Sequence, residues 1–513
     1  MDAEKKVIGL RDTGEVEGSR LTLRLPYTRF IICIVPTKER LLRIRRLSQD
    51  VCEIEASIAD VSDDLERGIA HGLLVDHIFP ATMDHEDPLV EDLKVRILRT
   101  WIAEEVRLLF KEYRGMTLNL RILPDFFLFR HYKRKGRLLF MLKAHYAQLL
   151  ERALEVVRER PSVMRKALAI AEREGLMSLE GNLIKIMKEP ERPISRLISL
   201  PVKLQLSQES LSVQAFSLTL LSYAAKVALR ANAAVEGPNT QEDRLIFIET
   251  DQGLKPLDTR FELWRRMKEK GFKLRRLGGV LNTAYLLERE DGELLVVKIF
   301  QEWTNFKWLP LAFWALGAYT FDPTGRGRLI NEYSMNREFR KHGLPVPDIY
   351  HVDLANKLIV EEYIEGTTLR ELILKILRAR LEDVQEDLEL LRRALKAVAL
   401  VHSKGFVLGD ANPTNIILHR NNVFFVDLEQ ARKGNKYSWD LATLFFFTAH
   451  YVQGLSLRRL EQVIEAMVEG YLEEGEAEIV KGALKVPYLR VYAFFAYPHA
   501  IFKLYRCVSK LLG

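Results

Sequence analysis

Val401 to Arg432, reading VHSKGFVLGDANPTNIILHRNNVFFVDLEQAR, constrains this chain more than any other stretch. Asp410 and Asn415 stand five positions apart, and Asp427 follows twelve later, after an apolar, hairpin-like run. Polar loop, strand, turn, strand, acid is the order in which a phosphoryl-transfer site presents a base and two metal ligands. Asp410 suits the proton of an acceptor hydroxyl, and Asn415 offers an amide oxygen to magnesium. Asp427, at a strand end, can bridge metal ions to the β- and γ-phosphates. Each acid alone reads more simply as a solvated loop residue; the ordered set carries the chemistry.

Such a site also needs a cation for the phosphates. The run VVKIF places Lys298 among apolar neighbours, which is costly unless its ammonium meets anions. The plainer reading is an edge strand that turns Lys298 to water. A helix over Arg328–His342, closed by Gly343 with Pro345 and Pro347 beyond, offers Glu332 and Glu338 as partners. Six positions separate them, about 240° around the helix, so only one can face Lys298. Glu332, further from the helix end, is preferred.

Upstream, Leu274–Leu287 and Leu294–Phe300 read as strands joined across Glu290-Asp291-Gly292-Glu293, a hairpin signal. The first is expected to carry Gly278-Gly279 and to continue through Asn282 and Thr283. Glycines there let backbone N–H groups lie over phosphates, although a bulge explains them as well. Downstream, Ile349–Val352 and Leu358–Tyr363 form another strand pair, and Thr368 with Glu371 makes a capping box opening the next helix. Between Lys298 and the Glu332 helix lies FQEWTNFKWLPLAFWALGAYTFDPTGRG, an aromatic insert expected to pack on the small lobe, or else to form an exposed docking surface.

At these residues the chain resembles the protein-kinase-like superfamily over roughly residues 260–450. Within it, the likeness is to the atypical, mostly prokaryotic branch of RIO kinases, the kinase subunit of the tRNA threonylcarbamoyladenosine complex and lipopolysaccharide core kinases. NEYSMNREFRKHGLPVPDIYHVD is similar to that branch's regulatory helix and its Gly-x-Pro-x-Pro exit, GDANPTNIIL to its catalytic loop, and IVEEYIEG to its hinge. The resemblance implies ATP, or another purine nucleotide, between two lobes with Mg2+ or Mn2+. It also implies Glu361 and Tyr363 at the hinge beside the nucleotide.

Two departures stand out. Leu408-Gly409-Asp410 has no arginine before the acid, so control by an activation-loop phosphate is not expected. Asp427-Leu428-Glu429 has glutamate where the resemblance calls for glycine, which bears on metal geometry and transfer rate. Asp440, in SWDLATL, looks like the branch's structural aspartate and follows Asp427 by only 13 positions. That leaves little room for an extended peptide. A small-molecule, lipid-linked or special protein acceptor is expected, or slow ATP hydrolysis as a switch.

At 513 residues the chain should hold two or three domains. Its three cysteines (Cys33, Cys52, Cys507) lie far apart with no CxxC, which argues against a disulfide framework or a cysteine zinc site and suits a cytoplasmic protein. The net charge of +7 permits an anionic partner without demanding one. Neither the uncharged run Leu441–Leu457 nor the aromatic run Trp308–Phe321 reaches the roughly 20 apolar residues that span a bilayer.

The first half identifies no chemistry. Leu21–Pro36 contains β-type runs, so the opening region is expected to be strand followed by helix; Leu93–Tyr113 reads as an amphipathic helix, and Leu138–Ala167 and Leu211–Ala234 as further helices. His71, Asp76, His77, Asp84, His85 and Glu86 form a His/carboxylate cluster without a metal-ligand spacing, read first as ordinary polar surface. Phe126–Arg137 (FFLFRHYKRKGR) reads first as a buried aromatic strand running into a solvated turn. Its second reading is a basic-aromatic patch for RNA or a membrane surface, with peripheral membrane attachment as the consequence. The C-terminal tail, with Arg490, Lys503, Arg506 and Lys510, has the same two readings: a last helix on the large lobe, or an interfacial helix.

The expectation is therefore α+β. Residues 1–236 form a mixed α/β then helical domain, 237–365 a linker and small lobe, and 366–513 a helical large lobe. The rival function is a nucleotide-binding switch or scaffold that acts through partner or RNA binding by the first domain.

Overall fold

The computed structural model describes residues 20–25, 30–46, 51–68, 70–83, 87–138, 142–191, 245–257, 273–278, 283–288, 292–302, 319–379, 383–452, 457–492 and 496–513. The expected helix over Leu211–Ala234 lies outside these residues, as do Phe261–Lys270, whose sequence also suits a helix, and the Gly-Pro stretch Ala231–Arg244, whose composition marks a domain boundary. The chain divides into two compact units. One comprises Met1–Glu112 and Arg121–Ile246, the other Tyr113–Leu120 and Phe247–Gly513.

In the first unit, strands Leu21–Leu25 and Phe30–Val35 pair antiparallel, and Phe30–Val35 runs parallel to Cys52–Ser57, which Arg43–Arg46 flanks. The opening region is thus strand followed by helix, as expected, with four strands before the helix. Leu21, Leu23 and Leu25 alternate with exposed residues, the period of a half-buried strand. The first helix waits until Ile58, where Ser57 and Asp60 form a capping box. After helices Lys143–Glu159 and Pro161–Arg173 the chain returns to β structure, as a hairpin of Met177–Glu180 and Leu183–Ile186.

Phe126–Arg137 is not a strand. It lies within the helix Asp125–Leu138, whose Phe126, Phe127, Leu128 and Phe129 are all buried. Four apolar residues in succession suit a strand, but burial on a long neighbouring helix overrides that propensity. Arg130 pairs with Glu105 at 3.0 Å and with Glu112, Arg134 with Glu104 and Glu105 at 3.2 and 2.8 Å, and Lys135 with Asp76 at 3.3 Å. Three of the cations that made this stretch a candidate RNA or membrane patch are therefore committed to internal carboxylates.

Asp76 and His77 of the His/carboxylate cluster also turn inward, while His71 is exposed. Asp76 accepts from His131 at 2.8 Å and from the Tyr146 hydroxyl at 3.0 Å, and His77 and His145 face each other at 2.9 Å. Burial disfavours the charged imidazolium and lowers the pKa of both His77 and His145. Asp84, His85 and Glu86 lie outside the described residues. Among those described, no group of three or more His, Cys, Asp or Glu could hold a metal ion.

The second unit joins a β half to a helical half. The β half is a five-stranded antiparallel sheet in the order Lys273–Gly278, Thr283–Glu288, Leu294–Ile299, Leu358–Glu362, Ile349–Asp353. Leu287, Leu295, Val297, Leu358 and Val360 form its apolar core. Leu274–Leu287 is two strands rather than one. Gly278 pairs with Ala284 and lies at the end of the first strand, not in its middle, while Gly279 lies outside the described residues.

The helical half contains Leu369–Arg378, Gln385–Ser403, Tyr437–His450, Leu457–Leu472 and Pro498–Leu512, with the hairpin Ile416–His419 and Asn422–Phe425. Thr368 and Glu371 cap the first of these helices reciprocally. The C-terminal helix buries Ala500, Leu504, Cys507 and Val508 in the core of this half, as a packing helix does. The described end of the aromatic insert packs there too, correcting the expected small-lobe position: Tyr319 stacks on Trp439 at 5.2 Å between ring centroids. Residues 303–318 are outside the described set. Among the described residues, no helix is long and apolar enough to cross a membrane.

Candidate active site

Strand register explains the first half of the site. Lys298 pairs with Ile359 and Val296 with Glu361, so Lys298 and Glu361 are diagonal neighbours on one face of the sheet. Glu361 Oε2 lies 3.0 Å from Lys298 Nζ. The helix Gly325–Lys341 brings Glu332 Oε1 to 2.7 Å from the same atom, and Asp427 Oδ1 stands at 3.8 Å. Glu338, the alternative partner, pairs instead with Lys433 on the other side of the 240° separation.

Lys298, Glu332 and Glu361 are all buried. Burial works against the Lys298 charge, but Glu332, Glu361 and Asp427 outweigh it and hold the ammonium well above its ordinary range. Burial pushes Glu332 up, with Glu361 and Asp427 adding to the rise and Lys298 opposing it. One cation among three carboxylates leaves surplus negative charge, which disfavours ionisation of Glu332.

The second half is the loop after Gln385–Ser403. Gly409 has a φ of 76°, and a Cβ there would sit 2.2 Å from the Gln430 carbonyl oxygen, so only glycine fits before Asp410. Asp440 anchors the loop from below by accepting the N–H groups of Leu408 and Gly409 at 2.6 and 2.8 Å, with His402 at 3.1 Å. Trp439 Nε1 donates to the Gly409 carbonyl at 2.7 Å. Asn415 Nδ2 donates to the Asp410 backbone oxygen at 3.1 Å and to its Oδ2 at 3.3 Å, which aims the carboxylate. Burial, and then the charges of Asp427 and Glu429, push Asp410 up to about 7.

Asp427 adopts a left-handed conformation with φ 62°, uncommon for a residue with a side chain. Its carboxylate is 29% exposed, open enough to reach a ligand. Asn415 spends its NH2 group on Asp410, so the amide oxygen is the end suited to a cation. Two hard oxygen donors of this kind fit magnesium or manganese.

The remaining expected residues divide. Thr283 begins its strand, and its hydroxyl accepts from Gln301 at 2.8 Å. Gly278 closes the preceding strand, while Gly279 and Asn282 lie outside the described residues. The Glu361 side chain turns to Lys298, not along the hinge. Tyr363 is half-buried, and its N–H donates to the Leu294 carbonyl at 3.3 Å. Glu361 as a lysine partner was missed from the sequence, although strand alternation puts it on the Lys298 face once the register is known.

The RIO domain family model matches residues 328–440, which include Glu332, Asp410, Asn415, Asp427 and Asp440 but not Lys298. The KEOPS complex subunit Bud32 of Pyrococcus abyssi is 30% identical over 159 residues, 31% of this chain and 64% of that protein. A probable serine/threonine-protein kinase BUD32 homolog of Archaeoglobus fulgidus is 29% identical over 143 residues, 28% of this chain and 64% of that protein. The chain thus spans 64% of the length of these two curated relatives. The Rio2 kinase of Chaetomium thermophilum, solved with ADP, Mg2+ and phosphoaspartate, overlays at a TM-score of 0.27 and 13% identity, over 58% of this chain and 88% of that one. That overlay is too loose to align residues. The family match and the curated relatives support a place in the atypical protein-kinase-like superfamily, with similarity to its RIO and Bud32 members over part of this chain.

Proposed function

We propose that the chain transfers the γ-phosphoryl group of ATP to a hydroxyl acceptor with the help of a divalent cation. The observation that carries this reading is the convergence of Lys298, Glu332 and Asp427, with Nζ–O distances of 2.7 and 3.8 Å, near enough to Asp410 for the Asp427 charge to act on it. Lys298, oriented by Glu332, binds nucleotide phosphate. Asn415 and Asp427 hold the cation, which when bound would neutralise charge developing on the β- and γ-phosphates. Asp410, aimed by the Asn415 amide, orients the acceptor hydroxyl and takes its proton. Gly278, at its strand end, offers its backbone to the phosphates, and Tyr363 borders the purine. The 13 positions from Asp427 to Asp440 favour a compact acceptor over an extended peptide.

A second reading has one observation in its favour. Lys298 is already engaged by Glu332 and Glu361, at 2.7 and 3.0 Å, so nucleotide must compete for it. A slow ATPase that switches partners would tolerate that competition, and the Pyrococcus abyssi relative is described as a subunit of the KEOPS complex.

The test is turnover of γ-labelled ATP with Mg2+ by the full chain, alongside Asp410→Ala and Asp427→Ala. Transfer or hydrolysis lost in both variants supports the enzyme. Nucleotide-dependent thermal stabilisation without turnover favours the switch, and no stabilisation by Mg-nucleotide defeats both readings.

A further inference from the structure

We propose that Arg328 and Glu429 are a positioning pair that holds Asp427 and Glu332 in working register, an inference that rests on the function proposed above. Glu429 occupies the place two residues after Asp427 where the family resemblance calls for glycine. It does not reach towards water or towards the cleft. Arg328 Nη1 donates to both its carboxylate oxygens, at 3.0 and 2.9 Å, and the two side chains are 0% and 3% exposed.

The same guanidinium donates through Nη2 to the Gln301 carbonyl and lies 5.9 Å over the Phe300 ring. Phe300 and Gln301 directly follow the strand that carries Lys298. Arg328 itself sits one turn before Glu332 on the helix Gly325–Lys341. One side chain therefore ties together the lysine strand, the glutamate helix and the loop of the metal acid. Asn331 adds to the link, its Nδ2 donating to the carbonyls of Glu429 and Ala431 at 2.9 and 2.7 Å.

Burying an ion pair yields little net stability against apolar residues of equal size, so such a pair is better explained by the geometry it enforces. Here there is a geometry to enforce. Asp427 is held at φ 62°, a conformation that persists only when its surroundings over-determine it. A conventional kinase sets this register from outside, through a phosphorylated activation loop. The 12 residues between Asp427 and Asp440 hold no such loop, and Arg328 with Glu429 supplies the constraint from within. The site is accordingly built in its assembled state, without a modification to switch it on.

The test compares the full chain with Glu429→Gln and Glu429→Asp, following the thermal shift caused by ATP as free Mg2+ is raised, together with turnover of γ-labelled ATP. For Glu429→Gln we expect the half-saturating Mg2+ to rise about tenfold, as loss of a partner supporting a metal ligand does, with Glu429→Asp recovering most of the loss. A merely structural pair would lower the melting temperature without ligand and leave the Mg2+ requirement where it was; that result overturns the inference. If Glu429→Gln does not fold, Arg328→Lys, which keeps the charge but loses the second nitrogen that reaches the Gln301 carbonyl, is read in its place by the same criterion. If the wild-type chain shows no Mg2+-dependent response to ATP, the proposed function fails and the positioning role falls with it. A responsive wild type with unaltered variants sinks the positioning role alone.

Discussion

Glu361 Oε2 lies 3.0 Å from Lys298 Nζ, so the lysine that Glu332 orients answers to a second buried carboxylate on its own sheet. Replacing Glu361 with Gln removes one competitor for the ammonium while leaving its shape. We expect the KM for Mg-ATP to fall by about threefold and stability to change by less than about 1 kcal/mol, since Glu332 still pairs with Lys298. Steady-state kinetics and thermal melting check both; a raised KM would assign Glu361 to the nucleotide instead.

Lys298→Met should behave oppositely. It leaves Glu332 and Glu361 buried without their cation, a change worth roughly 3 kcal/mol of stability before any nucleotide is added. Nucleotide-dependent stabilisation should disappear with it. Equilibrium unfolding with and without Mg-ATP separates the two losses.

Asp410→Asn should lower turnover by about a hundredfold or more while preserving the thermal shift caused by Mg-ATP, because a base acts on the acceptor proton and not on nucleotide binding. Loss of the thermal shift as well would move Asp410 from catalysis to binding.

Asp440→Asn removes the charge that accepts the Leu408 and Gly409 N–H groups at 2.6 and 2.8 Å. We expect a loss of about 1–3 kcal/mol, read by denaturant unfolding, and a fall in turnover from a loosened loop. Unchanged stability would mean the loop is held by Trp439 and Tyr319 alone.

Lys94 in the first unit supplies a pH dependence. It is buried, donating to the Ala81 carbonyl, and burial, with Arg160 and Arg152 nearby, lowers it from 10.5 to about 7. Between those values the unfolded chain binds the proton that the folded one has shed, so stability rises with pH across that window, by up to about 1.4 kcal/mol per unit. It is lost as pH falls towards 7. Lys94→Met should flatten that slope, measurable by calorimetry at pH 7, 8 and 9; an equal slope in both proteins would rule Lys94 out as its source.

The site was legible where its chemistry is written locally. Asp410, Asn415 and Asp427 share one loop and hairpin, so their spacing alone conveys their order. Thr368 with Glu371 is equally local, and the structure forms that capping box. The aromatic stretch Phe126–Arg137 misled for the converse reason. Whether Phe-Phe-Leu-Phe lies on a strand or a helix depends on what covers it, and whether Arg130 and Arg134 are free depends on Glu104 and Glu105 some 25 to 30 positions away. Gly278 was misplaced within a strand, at whose end it lies, because period alone does not locate a reversal.

The sequence by itself determined the identity and order of the candidate groups: a lysine on an apolar strand, a glutamate on a capped helix, then an acid, an amide and an acid. These follow from residue type and short-range spacing, which backbone geometry translates directly. Only the tertiary structure decided which charges meet. Glu332 faces Lys298 while Glu338 meets Lys433; Glu361 joins them through strand register; and Arg328 closes on Glu429 across 101 positions. Such pairings cost desolvation and are made only where packing brings both partners out of water together, a condition no single stretch of sequence contains.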